Sequence, residues 1–178
     1  MFSEAIFYSK LNYCLPVFGH VFGLDRYNDT STRCSSFTKE DNRKMQVLQN
    51  SVMRLLTDKK RDTPTTDLLR MTNSLSIQQM VAFQTLIMVH KVIKSSKHAY
   101  LAAKLMVRVE RDGRRVLERS QGRIAPANHT LGSSRGGFVY RGSKLFNSLP
   151  MHLRMEPNLR KYRESVRKWV LETIQARP

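Results

Sequence analysis

Residues 77–93 read IQQMVAFQTLIMVHKVI, the longest apolar segment of the chain. Drawn as a helix, it places Met80, Val81, Phe83, Leu86, Ile87, Met88, Val89, Val92 and Ile93 on most of its faces. A helix that is apolar nearly all round has to be buried among other helices. Ser76 stands just before it, where an N-cap is needed. The segment therefore predicts a central helix with the rest of an all-α core packed around it.

Toward the N-terminus, Thr38 and Asp41 stand three residues apart, a capping-box arrangement that opens another helix. Its expected buried stripe is Met45, Leu48, Val52, Leu55 and Leu56, with Arg43, Lys44 and Arg54 toward solvent. Asp62-Thr63-Pro64 ends that helix and starts a short one through Leu68, Leu69 and Met71, since proline is tolerated at a first helical position. Earlier still, Ile6, Phe7, Leu11 and Cys14 have helical spacing, disturbed by Pro16. The polar stretch from Asp25 to Phe37 reads as a loop.

Toward the C-terminus the character changes after Leu101–Met106. Residues 107–137 interleave Arg108, Arg111, Arg114, Arg115, Arg119, Arg123 and Arg135 with five glycines, and no apolar period survives. That composition predicts a long mobile loop. Apolar spacing returns over residues 138–149 and stops at Pro150. A last helix is expected from near Pro157, burying Leu159, Tyr162, Val166, Trp169, Val170 and Ile174. Arg160, Lys161, Arg163, Arg167 and Lys168 fall on its other face. The expected architecture is an irregular helical bundle with a long basic Gly/Arg-rich loop before a C-terminal helical pair. Its parts are a helical core at 1–106, the loop at 107–137 and a helical segment at 138–178.

The 178 residues are 40% hydrophobic and 25% charged, as in ordinary globular proteins, so a core can form. Charge is the outlier: 31 Lys and Arg against 14 Asp and Glu give a net +17. From Lys104 onward, 17 basic and 6 acidic residues leave +11, and the rest of the chain contributes +6. The C-terminal part is thus the side expected to face a polyanion. RNA or DNA is the first candidate, because cations that neutralise phosphates release condensed counterions. Arg108, Arg111, Arg114, Arg115, Arg119, Arg123, Arg141 and Lys144 are the expected phosphate contacts. Phe138, Tyr140, Phe146, Tyr162 and Trp169 lie among these cations, but at helical spacing Tyr162 and Trp169 read as core.

The features of an enzyme are missing from this pattern. Metal-dependent nucleotide transfer needs clustered carboxylates. Here Glu40 and Asp41 share a first helical turn, where acids favour the dipole, and Asp58, Asp62 and Asp67 flank a turn. The run Gly132–Gly142 is glycine-rich but lacks the Lys-Ser or Lys-Thr ending of a phosphate loop, so it reads as a flexible linker. His20, His90, His98, His129 and His152 are scattered, and His90 on the apolar helix reads as a hydrogen-bonded core residue. Cys14 and Cys34 lack the paired second half of a zinc site. No metal or other cofactor is expected. The apolar stretch Tyr13–Leu24 is far shorter than the ~18 residues of a membrane span and has no basic leader. No membrane role is expected, and an intracellular setting, nucleus or cytoplasm, fits better than secretion. Asn28-Asp29-Thr30 and Asn128-His129-Thr130 match the glycosylation pattern by chance.

Several segments, taken in order, resemble a known family. They are Tyr13–Gly19 (YCLPVFG), Lys44–Asn50 (KMQVLQN) with Arg54, Thr63–Leu68 (TPTTDL), Ser76-Ile77, Tyr140–Pro150 (YRGSKLFNSLP) and Leu159–Arg163 (LRKYR). In this order and spacing the chain resembles the C-terminal part of reverse transcriptases from non-LTR, LINE-type (jockey-like) retrotransposons, over nearly its whole length. The resemblance implies a thumb-like helical core and the helical region that follows it, lying against a template–product duplex. It also implies that the fingers and palm are partners outside this chain. The family's catalytic carboxylates stand in a Tyr/Phe-Ala-Asp-Asp palm motif, and this sequence has no Asp-Asp pair. The expectation is a non-catalytic fragment of an RNA-directed DNA polymerase that contacts RNA or DNA backbone. The competing expectations are a helical protein–protein module, whose surfaces would be the helices at 38–57 and 77–95, and a remnant without function.

Overall fold

The computed structural model of the chain describes Ser9 and residues 39–94, 99–105, 123–124 and 138–174. The described residues are all-α, as expected. Among the described residues seven helices are delimited, in the order α1 (Lys39–Thr57), α2 (Thr65–Met71), α3 (Ile77–Lys94), α4 (Ala99–Lys104), α5 (Phe138–Ser148), α6 (Met151–Met155) and α7 (Leu159–Thr173). Thr38, the helix expected around residues 2–18 and nearly all of the 107–137 loop lie outside the described residues.

The segment 77–93 is the central helix. Along α3, Met80, Val81, Ala82, Leu86, Ile87, Val89, His90 and Val92 are all buried. Ser76 opens it with a reciprocal cap: the Gln79 N–H donates to Ser76 Oγ (3.4 Å), and the Ser76 N–H donates to Gln79 Oε1 (3.0 Å). Two otherwise orphaned donors of the first turn are satisfied this way. One large apolar cluster joins α3 to Leu105, Ile124, Leu145, Phe146, Leu149 and Leu153, and to Tyr162, Val166 and Val170 of α7. Helices from both sides of the basic loop therefore share one core.

Gly142 shows how closely α3 and α5 pack. A Cβ at that position would lie 2.8 Å from Val89 Cγ2. Its place inside α5 corrects the linker reading of residues 138–142, the end of the glycine-rich run. That glycine serves close helix approach rather than chain flexibility. In place of a C-terminal pair there are three helices, because Pro150 ends α5 and stands at the N-cap position of the short α6 before α7 begins. Asn158 caps α7, its Oδ1 accepting from the N–H groups of Arg160 (2.9 Å) and Lys161 (3.4 Å). The expected stripe from Leu159 to Ile174 faces inward, with Tyr162, Val166, Val170 and Ile174 buried. Trp169 packs against the same cluster.

The N-terminal hairpin of α1 and α2 is held differently. Each helix ends at a residue in the left-handed region, Asp58 (φ 50°) and Asn73 (φ 48°), residue types that tolerate it. The Lys59 N–H donates to the Arg54 carbonyl and the Ser74 N–H to the Leu69 carbonyl, the closing bonds of Schellman caps. The buried side of α1 is largely amide: Asn42, Gln49 and Asn50, with Met53 the one fully buried apolar residue. Gln49 Nε2 donates to the Leu75 carbonyl (2.8 Å), and Gln46 Oε1 accepts from the Ile77 N–H (3.0 Å). Gln46 Nε2 in turn bonds Gln49 Oε1 and Asn50 Oδ1, and Asn50 Nδ2 donates to Thr65 Oγ1.

This corrects the expected stripe of α1. Leu48 is 54% and Leu55 81% exposed, and Val47 and Leu56 are exposed as well. Met45 and Val52 are half-buried. The physical reason is at the start of α3, whose first N–H and preceding carbonyl need partners that apolar side chains cannot supply. Glutamines three residues apart on α1 supply them, and the leucines turn outward. Arg43 and Lys44 are exposed as expected, whereas Arg54 reaches back to the Thr63 carbonyl (3.3 Å).

Candidate nucleic-acid interface

Of the expected phosphate contacts, Arg108, Arg111, Arg114, Arg115 and Arg119 lie outside the described residues. Arg123, Arg141 and Lys144 can be placed. Arg123 is exposed, next to Ile124, whose backbone is clamped from α5. Asn147 Nδ2 donates to the Ile124 carbonyl (2.8 Å), and Asn147 Oδ1 accepts from the Ile124 N–H (2.9 Å). One side chain thus satisfies both polar groups of a buried residue and holds Arg123 at a defined place beside α5.

Arg123 has a neighbour that the sequence did not single out. Arg154, in the last turn of α6, is buried. Loss of hydration lowers its pKa first, and the positive charge of Arg123 lowers it further. Two guanidinium groups are thus brought within electrostatic reach, an arrangement that favours an anion between or beside them. A lone arginine 31 residues downstream carries no sequence signal for such a pairing.

Arg141 and Lys144 sit on α5. Arg141 is half-buried, and desolvation lowers its pKa. Lys144 is exposed and lies over the Tyr140 ring, its Nζ 5.8 Å from the centroid. Partial burial lowers its pKa through desolvation, while the ring face favours the charged form.

Among the helices of the described residues, α7 carries the largest group of exposed cations. Arg160, Lys161, Arg163 and Lys168 all face solvent. Arg160 Nε lies 3.6 Å from Glu164 Oε1, an exposed pair of little energetic weight. Arg167 bonds instead to the Asn73 carbonyl and to Asn73 Oδ1, tying α7 to the turn between α2 and α3. The sequence placed these cations on the solvated face of the last helix but did not name them as contacts. Their signal is the helical spacing itself, read together with the apolar stripe opposite.

His90 is a core residue, as expected. Its ring stacks on Tyr162 with centroids 4.1 Å apart, and its Nε2–H donates to the Glu156 carbonyl (2.8 Å). Burial pushes its pKa below 6.5 and also raises that of the Tyr162 hydroxyl. Among the described residues no three His, Cys, Asp or Glu side chains converge as metal ligands, and no helix is long and apolar enough to cross a membrane. No family model, curated protein or solved structure significantly matches the chain.

Proposed function

We propose that the chain is a helical module that contacts the phosphate backbone of RNA or DNA, as the thumb and following region of a LINE-type reverse transcriptase would. The single observation that carries the reading is the solvent-facing row of Arg160, Lys161, Arg163 and Lys168 on α7, in a chain of net charge +17. Arg123 and Lys144 add exposed charge from the same C-terminal part. These side chains would hold phosphates without reading bases, since such contacts position nucleic acid and carry no direct sequence information. On this reading the chain does not polymerise by itself, the metal-holding carboxylates belong to a palm outside it, and it works inside the cell.

The test is a salt titration of binding to duplex and single-stranded oligonucleotides. Affinity should fall linearly with salt on logarithmic axes, with little preference for sequence. Alanine at each of Arg160, Lys161, Arg163 and Lys168 should reduce the slope by about 1. An affinity that barely changes between low and high salt would overturn the reading. A second reading, a protein–protein module, draws its support from the outward-facing leucines of α1.

A further inference from the structure

On α7, Arg160, Arg163 and Arg167 recur at intervals of three and four residues. Such positions share one stripe of a helix, here about 10.5 Å long from the first arginine to the last. The stripe does not stop at the helix. The Arg167 guanidinium donates to the Asn73 carbonyl and to Asn73 Oδ1, in the turn after α2. Both acceptors are neutral, so these bonds fix the guanidinium and leave its charge uncancelled. Asn73 in turn donates its N–H to the Arg70 carbonyl (3.2 Å), so Arg70 is one hydrogen bond beyond that contact. Arg70 stands exposed in the last turn of α2 and makes no ion pair within the described residues.

We infer that the phosphate-contacting face of α7 continues across the Arg167–Asn73 contact onto α2, where Arg70 is the next residue to hold a phosphate of the same RNA or DNA. This rests on α7 being a nucleic-acid face. It adds a residue from the part of the chain before Lys104, which contributes only +6 of the net charge. Other exposed cations of that part are less suited. Lys59, Lys60 and Arg61 share their turn with Asp58 and Asp62, at the other end of α2. By contrast, no Asp or Glu occurs from Leu68 to Lys94, so a backbone leaving the α7 stripe at Arg167 meets no acidic side chain of the α2–α3 turn. Arginine also presents a planar fork of donors that matches phosphate oxygens, whereas lysine offers a point charge.

The test is a salt titration of the full chain on duplex and single-stranded oligonucleotides, comparing Arg70→Ala with Lys60→Ala. Each variant removes one exposed charge, but Lys60 lies in the turn before α2 and Arg70 at its end. Arg70→Ala should reduce the logarithmic salt slope by about 1, and Lys60→Ala should leave it unchanged. Arg70→Lys should keep the slope, because the charge that releases counterions remains. Urea unfolding of each variant separates a loss of folding from a loss of contact. An Arg70→Ala slope equal to that of the wild type, while alanine at Arg163 still lowers it, overturns the inference and leaves α7 as a nucleic-acid face. Equal reductions by Arg70→Ala and Lys60→Ala also overturn it, by showing that net charge and not this surface sets the slope. So does a slope that Arg70→Lys lowers as far as alanine does. A wild-type affinity indifferent to salt removes α7 as a nucleic-acid face, and the inference with it.

Discussion

The two ends of α3 are held by opposite means. Over most of its length α3 is packed by α5 and α7 in an apolar cluster where leucine, valine and phenylalanine fill the space. At its N-terminus α1 meets it with Gln46 and Gln49, bonded to Ile77 and Leu75. In the first region apolar residues face in and cations face out. In the second, amides face in and leucines face out. The difference teaches that the buried side of a helix is chosen by what the neighbour lacks. The flank of α3 is filled mainly by apolar contact, whereas its first turn lacks hydrogen-bond partners, and leaving those groups unsatisfied in the interior is costly.

The sharpest way to break this comparison is to shorten one leucine in each region. Leu86, fully buried on α3, should cost about 2–5 kcal/mol as alanine. Leu55→Ala on α1 should stay within about 0.5 kcal/mol in the monomer, as exposed positions do. Chemical denaturation of the two variants under one set of conditions decides it. Equal losses would mean that the outer side of α1 is covered.

A smaller effect is expected where helices touch most closely. Gly142→Ala gains helix propensity of about 1 kcal/mol but drives a methyl into the stiff side chain of Val89. The net should be destabilising by about 1–3 kcal/mol, as for overpacked cores. Val89→Ala made in the same chain should return part of that loss, which a double-mutant cycle would read directly. Additive losses would place the strain elsewhere.

Gln49→Ala tests the amide side. It leaves the Leu75 carbonyl and Gln46 short of a partner, at a cost of about 1–3 kcal/mol. Gln49→Leu should recover little of this, because added apolar surface does not supply the missing donor. Recovery to the wild-type unfolding midpoint would show that α1 is held by burial after all.

The smallest expected effect is on pH. His90 has its folded pKa pushed below 6.5 by burial, so the unfolded chain binds more protons at acid pH. Its contribution to stability is complete above pH 6.5 and is lost as pH falls from there toward the folded value. The urea midpoint should therefore drop on going from pH 7.5 to 5.5, and His90→Phe should flatten that dependence. A slope unchanged in the variant would assign it to other groups.

Much of the fold was legible because its signals are local. The apolar stretch at 77–93, Ser76 before it, and the stripe from Leu159 to Ile174 each follow from spacing along one helix. The orientation of α1 was not legible. Its leucines have a helical period, and only the bonds to Leu75 and Ile77, 26 and 31 residues away, reveal that the amides face in. The candidate interface divides the same way. The cations of α7 are readable as a face, but the nearness of Arg123 and Arg154 depends on Asn147 clamping Ile124, a contact spanning 23 residues.

By itself, then, the sequence determined the helical class, the central segment, the cap at Ser76, the break at Pro150 and the concentration of positive charge toward the C-terminus. Periodicity, capping and charge are properties of neighbours in the chain. The tertiary structure decided which side of α1 is buried, why glycine suits residue 142, and which arginines come within electrostatic reach of each other. Those outcomes depend on hydrogen-bond partners and free volume supplied by distant segments, and neither is written in the residues that respond to them.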